Sequence, residues 1–308
     1  MNPATMQNAP RSAMAQSLSK KLKNLDQMPT IPAVLLPLMR YLERPVEQME
    51  LQQVVSLISQ DESLVTKCLS MANSPLFGRS KEVDTIHGAV IALGMQRMRD
   101  IAVSCSVLNL MPNKAANFNP TAFWEHSLGC ALVCREFARK IRYPDPGKAY
   151  LAGLLHDVGI VAHLWIVPQE FQSAVQNAQT QGIALHEAEA VVLGTDHCET
   201  GSIVGARWHL TSDLLAVIGS HHAVAGATSH RDLVALVSLS DLLCRMSGLG
   251  YGYPEAREVS FIEEPGFSVL LQECPALLDF DWARFTFELE AYMEEVHRLV
   301  GAFYRNPN

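Results

Sequence analysis

The chain has 308 residues, 48% of them apolar and 18% charged, with a formal net charge of -8. This is a soluble globular composition, long enough for one or two domains around a large core. The acidic balance, unrelieved by any Lys/Arg run, excludes nucleic acid as a main partner, because a polyanion needs a basic face.

Residues 1–18 are rich in Ala, Asn, Gln, Ser and Met without a period and are expected to form a flexible tail. Pro29 and Pro32 bracket a turn. Val34, Leu35, Leu38 and Leu42 then recur at helical spacing, as do Leu51, Val54, Val55 and Ile58. Asp61 is the expected N-cap of a helix carrying Leu64, Val65, Cys68, Leu69 and Ala72, which stops at Asn73-Ser74-Pro75. Leu76–Asp84 is a loop with Arg79 and Lys81. Thr85 caps Ile86–Leu93, Gly94 ends it, and Met95–Leu110 resumes. The polar stretch Pro112–Pro120 is the best internal hinge, so 19–111 is expected to form an N-terminal helical lobe.

The second lobe is expected over 121–247 and is also helical. Ala122–Ile141 is followed by a break at Tyr143-Pro144-Asp145-Pro146-Gly147. Lys148–Trp165 is expected as one helix. Further helices are expected at Pro168–Thr180, Leu185–Val192, Cys198–Trp208, Leu214–His222 and Leu233–Met246. Gly201 and Gly205 would let a neighbouring helix approach closely. Residues 248–308 are expected to be a Gly/Pro-rich loop over Gly248–Pro265 and a last helix over Trp282–Tyr304. No strand signal competes, so the fold class is all-α.

Seven cysteines without a CxxC fit a reducing cytosol, and a cytoplasmic location is expected. Cys130 and Cys134, four residues apart, are expected as small buried side chains. Met1–Ser19 lacks the apolar core of a leader, and no membrane partner is expected. A Gly-x-Ser-x-Gly elbow and a phosphate-binding glycine loop are both missing, which argues against those nucleophilic and nucleotide-binding chemistries.

The chemistry concentrates around LAGLLHDVGIVAHL, Leu151–Leu164, where His156 and Asp157 sit inside an apolar segment. Burying ionisable groups is costly unless they are paired or bound to a metal. His126, His197, His221, His222 and Asp241 lie on or beside other predicted helices. Imidazole and carboxylate are the usual ligands of a hydrolytic centre of zinc, iron or manganese, and an array this large could hold one or two ions. His87, His163, His186, His209, His230 and His297 are read as ordinary core or surface residues.

Taken together, these motifs resemble the HDOD family, the HD-related output domains. The resemblance runs from about Met28 to Met246. It rests on MPTIPAVLLPLMRYLERP, ISQDESLVTKCLSMANSPLFG and TIHGAVIALGMQRMRDI in the first half. In the second it rests on FWEHSL, AYLAGLLHDVGIVAHL, LGTDHCETGSIVGARWHL and IGSHHA. It implies a multi-helix HD-like bundle with an N-terminal helical lobe, acting as an output or scaffold in bacterial signalling, with signalling proteins as partners. Matched to the related HD-GYP phosphodiesterases, His126 stands for the first histidine and His156–Asp157 for the HD pair. His197, His221, His222 and Asp241 stand for the remaining ligands.

Four departures stand out. Ile160 replaces the lysine three residues after the HD aspartate. Ala223 replaces the acidic residue after the paired histidines, and Ala122 the acidic ligand one turn before the first histidine. Gly252-Tyr253-Pro254 lies after Asp241, where that family's loop does not. These departures favour a signalling module with a retained metal-type site and weak or no turnover. The alternative is a metal-dependent phosphohydrolase, acting for example on cyclic dinucleotides, with Lys148, Arg207 or Arg139 supplying the missing positive charge.

Overall fold

The computed structural model describes residues 13–24, 35–42, 50–77, 82–108, 110–112, 118–251 and 260–305. The Pro29–Pro32 turn, Arg79 and Lys81, most of the Pro112–Pro120 hinge and Gly252-Tyr253-Pro254 fall outside them. Among the described residues the regular structure is helical throughout.

The first helices are α1 (Ala13–Asn24), α2 (Leu35–Leu42), α3 (Leu51–Ile58), α4 (Glu62–Ala72), α5 (Ile86–Leu93) and α6 (Met95–Leu108). The expected caps are present. Asp61 accepts from the Leu64 amide at 3.0 Å and Thr85 from the Gly88 amide at 3.1 Å. Gly94, at φ 85°, separates α5 from α6 in a conformation that suits glycine. One expectation fails here. The tail was expected to run to residue 18, yet α1 begins at Ala13 and buries Leu18 and Leu22. Apolar residues four apart on one helical turn outweigh the polar composition around them.

The second half begins with α7 (Pro120–Lys140), capped by Asn119, and α8 (Pro146–Leu155), capped by Asp145. It continues with α9 (Val158–Ile166), α10 (Pro168–Gln181), α11 (Leu185–Val192), α12 (His197–Arg207), α13 (Ser212–Ser220) and α14 (Arg231–Met246). α15 (Pro265–Glu273) and α16 (Trp282–Arg305) close the chain. α15 lies in a stretch to which the sequence assigned no helix, and it packs on α14.

The single helix expected over Lys148–Trp165 is two. α8 ends at Leu155, and His156 and Asp157 form the joint before α9. Asp157 occupies the N-cap position of α9 without capping it, because its carboxylate is engaged elsewhere. Apolar periodicity cannot reveal this break, since α8 and α9 are both buried almost all round. The stretch Pro146–Ile166 is long and apolar enough to cross a membrane, but 94% of that window is buried by the protein itself.

One connected apolar core runs through both halves. A polar junction inside it joins α6, α7 and α8. The Asp100 carboxylate lies 3.5 Å from the Arg99 guanidinium and 3.6 Å from that of Arg135. Arg135 stacks over the Tyr150 ring at 5.1 Å, and the Tyr150 and Ser104 hydroxyls share a 2.8 Å hydrogen bond. α16 packs back along α7 through Phe285 on Phe137, and Glu295 accepts from the Ser74 hydroxyl at 2.7 Å. The C-terminal helix thus braces the helix that carries His126 and ties it to Ser74 of the first half.

Candidate metal centre

Glycine sets the distance between the two helices that matter most. α9 crosses α12 at Gly159 and Gly201, where a Cβ on Gly159 would sit 2.0 Å from the His197 carbonyl oxygen. This backbone contact brings the first turn of α12 against the α8–α9 joint, and so His197 against Asp157. α13 ends at His221–His222, α7 delivers His126 from its first turns, and α14 delivers Asp241. All seven residues expected at the site converge, and all but the partly buried His222 are fully buried.

Asp157 is the hub, and its two oxygens face different groups. Oδ2 lies 3.2 Å from His156 Nε2 and 3.5 Å from His126 Nε2. Oδ1 lies 3.3 Å from His197 Nε2 and 3.4 Å from His221 Nε2. His222 Nε2 is 3.1 Å from His197 Nε2, and Asp241 Oδ1 is 3.3 Å from His126 Nε2.

The tautomers follow from the outer partners. Nδ1 of His126 lies 2.7 Å from the Leu249 carbonyl, and that of His156 2.7 Å from the Gly153 carbonyl. Nδ1 of His197 lies 2.7 Å from Glu189 Oε2, and that of His221 3.1 Å from the Val217 carbonyl. These oxygens can only accept, so each Nδ1 donates, and four Nε2 atoms turn inward, available to ligate an ion. Glu189 is itself held. It accepts the His197 backbone N–H at 2.8 Å and His163 Nδ1 at 3.1 Å, while His163 Nε2 reaches the Thr200 hydroxyl at 3.0 Å.

A divalent ion fits this arrangement. Nε2 atoms of His126 and His156 face each other at 3.3 Å, and those of His197 and His222 at 3.1 Å, which is repulsive unless a proton or cation lies between. Asp157 Oδ1 is buried without a hydrogen-bond partner, a state that costs about 1–3 kcal/mol if nothing compensates it. Two ligands on a tetrahedral ion at ordinary bond lengths stand about 3.3–3.8 Å apart, close to the separations found.

Electrostatics agree. Burial would lower every imidazole here. At His222 and His156 burial prevails and keeps the ring neutral. At His221 the Cys198 sulfur and the Asp157 carboxylate outweigh burial and raise it to about 10. At His197 the Glu189 carboxylate likewise outweighs burial and raises the imidazole well above its ordinary range. Loading a metal would therefore displace protons.

Several residues at the site were not anticipated. The Tyr251 phenol donates to Asp157 Oδ2 and lies 3.5 Å from His126 Nε2. Arg245 grips Asp241 with both prongs, Nε to Oδ1 at 3.1 Å and Nη2 to Oδ2 at 3.0 Å. Its spacing of four residues from Asp241 was the legible signal. Cys198 places its sulfur 3.9 Å from His221 Nε2.

Two histidines read as ordinary belong here. His163 orients Glu189. His186 stacks on His222 with ring centres 4.1 Å apart, and burial lowers it to about 4. A cavity of about 450 Å³ opens beside the cluster, lined by His186, His221, His222, Arg245, Glu187 and Glu264 among others.

The three cations expected to replace the missing lysine lie elsewhere. Lys148 starts α8, far along it from His156, and pairs with Asp213 at 2.6 Å. Arg207 is exposed at the other end of α12 from His197, and Arg139 pairs with Glu136 at 2.9 Å. Ile160 is fully buried.

Residues 28–224 match the HDOD domain model. The chain belongs to the HDOD domain family. Asp241, Arg245 and Tyr251 lie beyond the matched residues. The HDOD fold is shared with the crystal structure of an HDOD domain protein of unknown function from Geobacter sulfurreducens. That protein is 27% identical, with a TM-score of 0.81 over 93% of this chain and 97% of that one. A provisionally assigned phosphohydrolase from Shewanella amazonensis SB2B shares the fold at 23% identity, with a TM-score of 0.69 over 92% of this chain and 97% of that one. An uncharacterised protein of Treponema pallidum (strain Nichols) is 25% identical over 243 residues, 77% of this chain and 47% of that protein. This HDOD chain thus spans about half the length of that curated relative.

Proposed function

We propose that this chain is a bacterial, cytoplasmic signalling module of HDOD type. Its buried cluster holds one divalent ion, of iron, manganese or zinc, as a tie between helices, with weak or no phosphoester turnover. Its partners are other signalling proteins, met through the helical surface. The observation that carries this reading is the asymmetry of Asp157. On the Oδ2 side, Tyr251 takes the carboxylate oxygen and Arg245 brings a positive charge onto Asp241. On the Oδ1 side the oxygen is without a hydrogen bond and faces His197 and His221. A second ion would have to sit beside a guanidinium and displace a phenol, so the site supports one.

A bound divalent ion supplies Lewis acidity and charge neutralisation. This chain's own residues do the rest. Glu189 fixes His197, the Gly153 carbonyl fixes His156, and the α9–α12 contact excludes water from Asp157. With Ile160 in place of a cation, phosphate charge meets no lysine at that position. The alternative, a metal-dependent phosphohydrolase, draws support from the cavity that reaches His221, His222 and Arg245.

The test is protein purified without chelators, analysed for metal and assayed on a cyclic dinucleotide and a simple phosphodiester. About one ion per chain and no hydrolysis above background is the expected result. Hydrolysis that disappears in Asp157→Ala would replace this reading with the enzymatic one.

A further inference from the structure

The HD pair and its partner histidines account for imidazole and carboxylate donors, but they leave one soft donor unexplained. Cys198 follows His197 in the first turn of α12 and is buried. Its sulfur lies 3.8 Å from His221 Nδ1 and 3.9 Å from His221 Nε2. His197, Cys198, His221 and His222 each offer one ligand atom, and all four atoms fall within 4.8 Å of one another. This group lies on the Oδ1 side of Asp157, the side free of Tyr251 and Arg245.

We propose that Cys198 is a thiolate ligand to the ion, joining His197, His221 and His222 on the Oδ1 side of Asp157. This rests on the reading that the cluster binds an ion. The geometry supports a direct bond. An ion about 2.3 Å from the sulfur and about 2.1 Å from an imidazole nitrogen subtends the observed 3.9 Å at about 125°, wider than tetrahedral, so the sulfur and the His221 ring close in on the ion as it binds. Three nitrogens and one sulfur, with Asp157 Oδ1 beside them, form a soft donor set that selects zinc or ferrous ion over manganese or magnesium. A thiolate also gives the ion more electron density than a water or carboxylate would. The ion is then a weaker Lewis acid, in keeping with a tie between α12 and α13 rather than a hydrolytic centre.

The test is cobalt(II) loading of the full chain, read by elemental analysis and by absorption, with zinc-edge X-ray absorption on the zinc-loaded protein. One cobalt per chain with a near-ultraviolet thiolate-to-cobalt band, and one sulfur among nitrogen and oxygen scatterers around zinc, is expected. In Cys198→Ser the band should vanish. Zinc affinity should fall by about 100-fold or more, the upper end of what an outer-sphere change causes, while manganese affinity stays the same. A stoichiometric cobalt or zinc site without sulfur, or a band that survives Cys198→Ser, overturns the assignment of Cys198 and leaves the ion-binding reading standing. Two or three sulfurs around zinc would place the ion among other cysteines instead, and overturn it as well. Failure to bind any ion removes both readings. Because the zinc-edge measurement uses the unaltered chain, a variant that does not fold leaves the test intact.

Discussion

Tyr251 donates its phenol to one oxygen of Asp157, while the other oxygen of the same carboxylate, equally buried, has no hydrogen-bond partner. One carboxylate is thus satisfied on one side and open on the other. That difference turns a symmetric-looking set of histidines into a site with an occupied half and an available half.

Tyr251→Phe should unblock the Oδ2 half. Removing the hydroxyl leaves a second buried oxygen unsatisfied, a loss of about 1–3 kcal/mol. Thermal melts without added metal should show the destabilisation, and excess divalent ion should offset part of it by mass action. Metal content in the variant should rise above the unaltered chain's value. Unchanged stability and unchanged metal content together would refute the role given to Tyr251.

In the proposed reading Glu189 would act on the ion through His197, so Glu189→Gln is a positioning change. The amide can still accept from His197 but no longer balances it electrostatically, and its own NH2 competes with His163 for an acceptor. Metal affinity should fall about 10–100-fold, with the helical content of the fold preserved. Isothermal titration with zinc, alongside circular dichroism, checks both halves of that statement.

Gly159→Ala tests the helix contact that builds the site. The added methyl would meet backbone, the His197 carbonyl at 2.0 Å, and backbone cannot swing aside as a side chain can. α9 and α12 must separate. The cost should reach or exceed the upper end of the usual 1–3 kcal/mol for overpacking. Chemical denaturation measures it. A stability within error of the unaltered protein would show that α9 and α12 are not in backbone contact at Gly159.

Asp100 sets a pH dependence away from the metal centre. Burial raises its carboxyl from the ordinary 3.8 to about 6, against the opposing pull of Arg99 and Arg135. Between those values the folded chain holds a proton that the unfolded chain has lost. This contribution to stability is complete below about pH 4 and is lost as pH rises to about 6. Each tenfold change in proton affinity is about 1.4 kcal/mol, so the window is worth about 3 kcal/mol. Carbon NMR of the Asp100 carboxyl should titrate near 6. In Asp100→Asn the stability profile should lose this downward slope between pH 4 and 6, and a profile parallel to that of the unaltered chain would count against it.

The helices and their caps were legible in the residues. Apolar spacing marks α3 and α4, and Asp61, Thr85, Gly94 and Pro168 mark ends, because capping and proline chemistry act over a few residues of local chain. The seven ligand-type residues were legible too, since histidine and aspartate inside apolar runs stand out against the cost of burying them. The break between α8 and α9 was not. Both helices are apolar on all sides, so no periodicity changes at His156.

Nor could the sequence assign Tyr251, Glu189, Cys198 or His186 to the site. Each is an ordinary residue locally and acquires its role only from what faces it across helices. Residue type and spacing fixed which side chains had to be compensated on burial. Tertiary packing alone decided which oxygen of Asp157 is compensated by a phenol and which has no hydrogen-bond partner. The path from α14 to Tyr251 and the approach of α12 to Gly159 are properties of distance in space, and distance along the chain does not encode them.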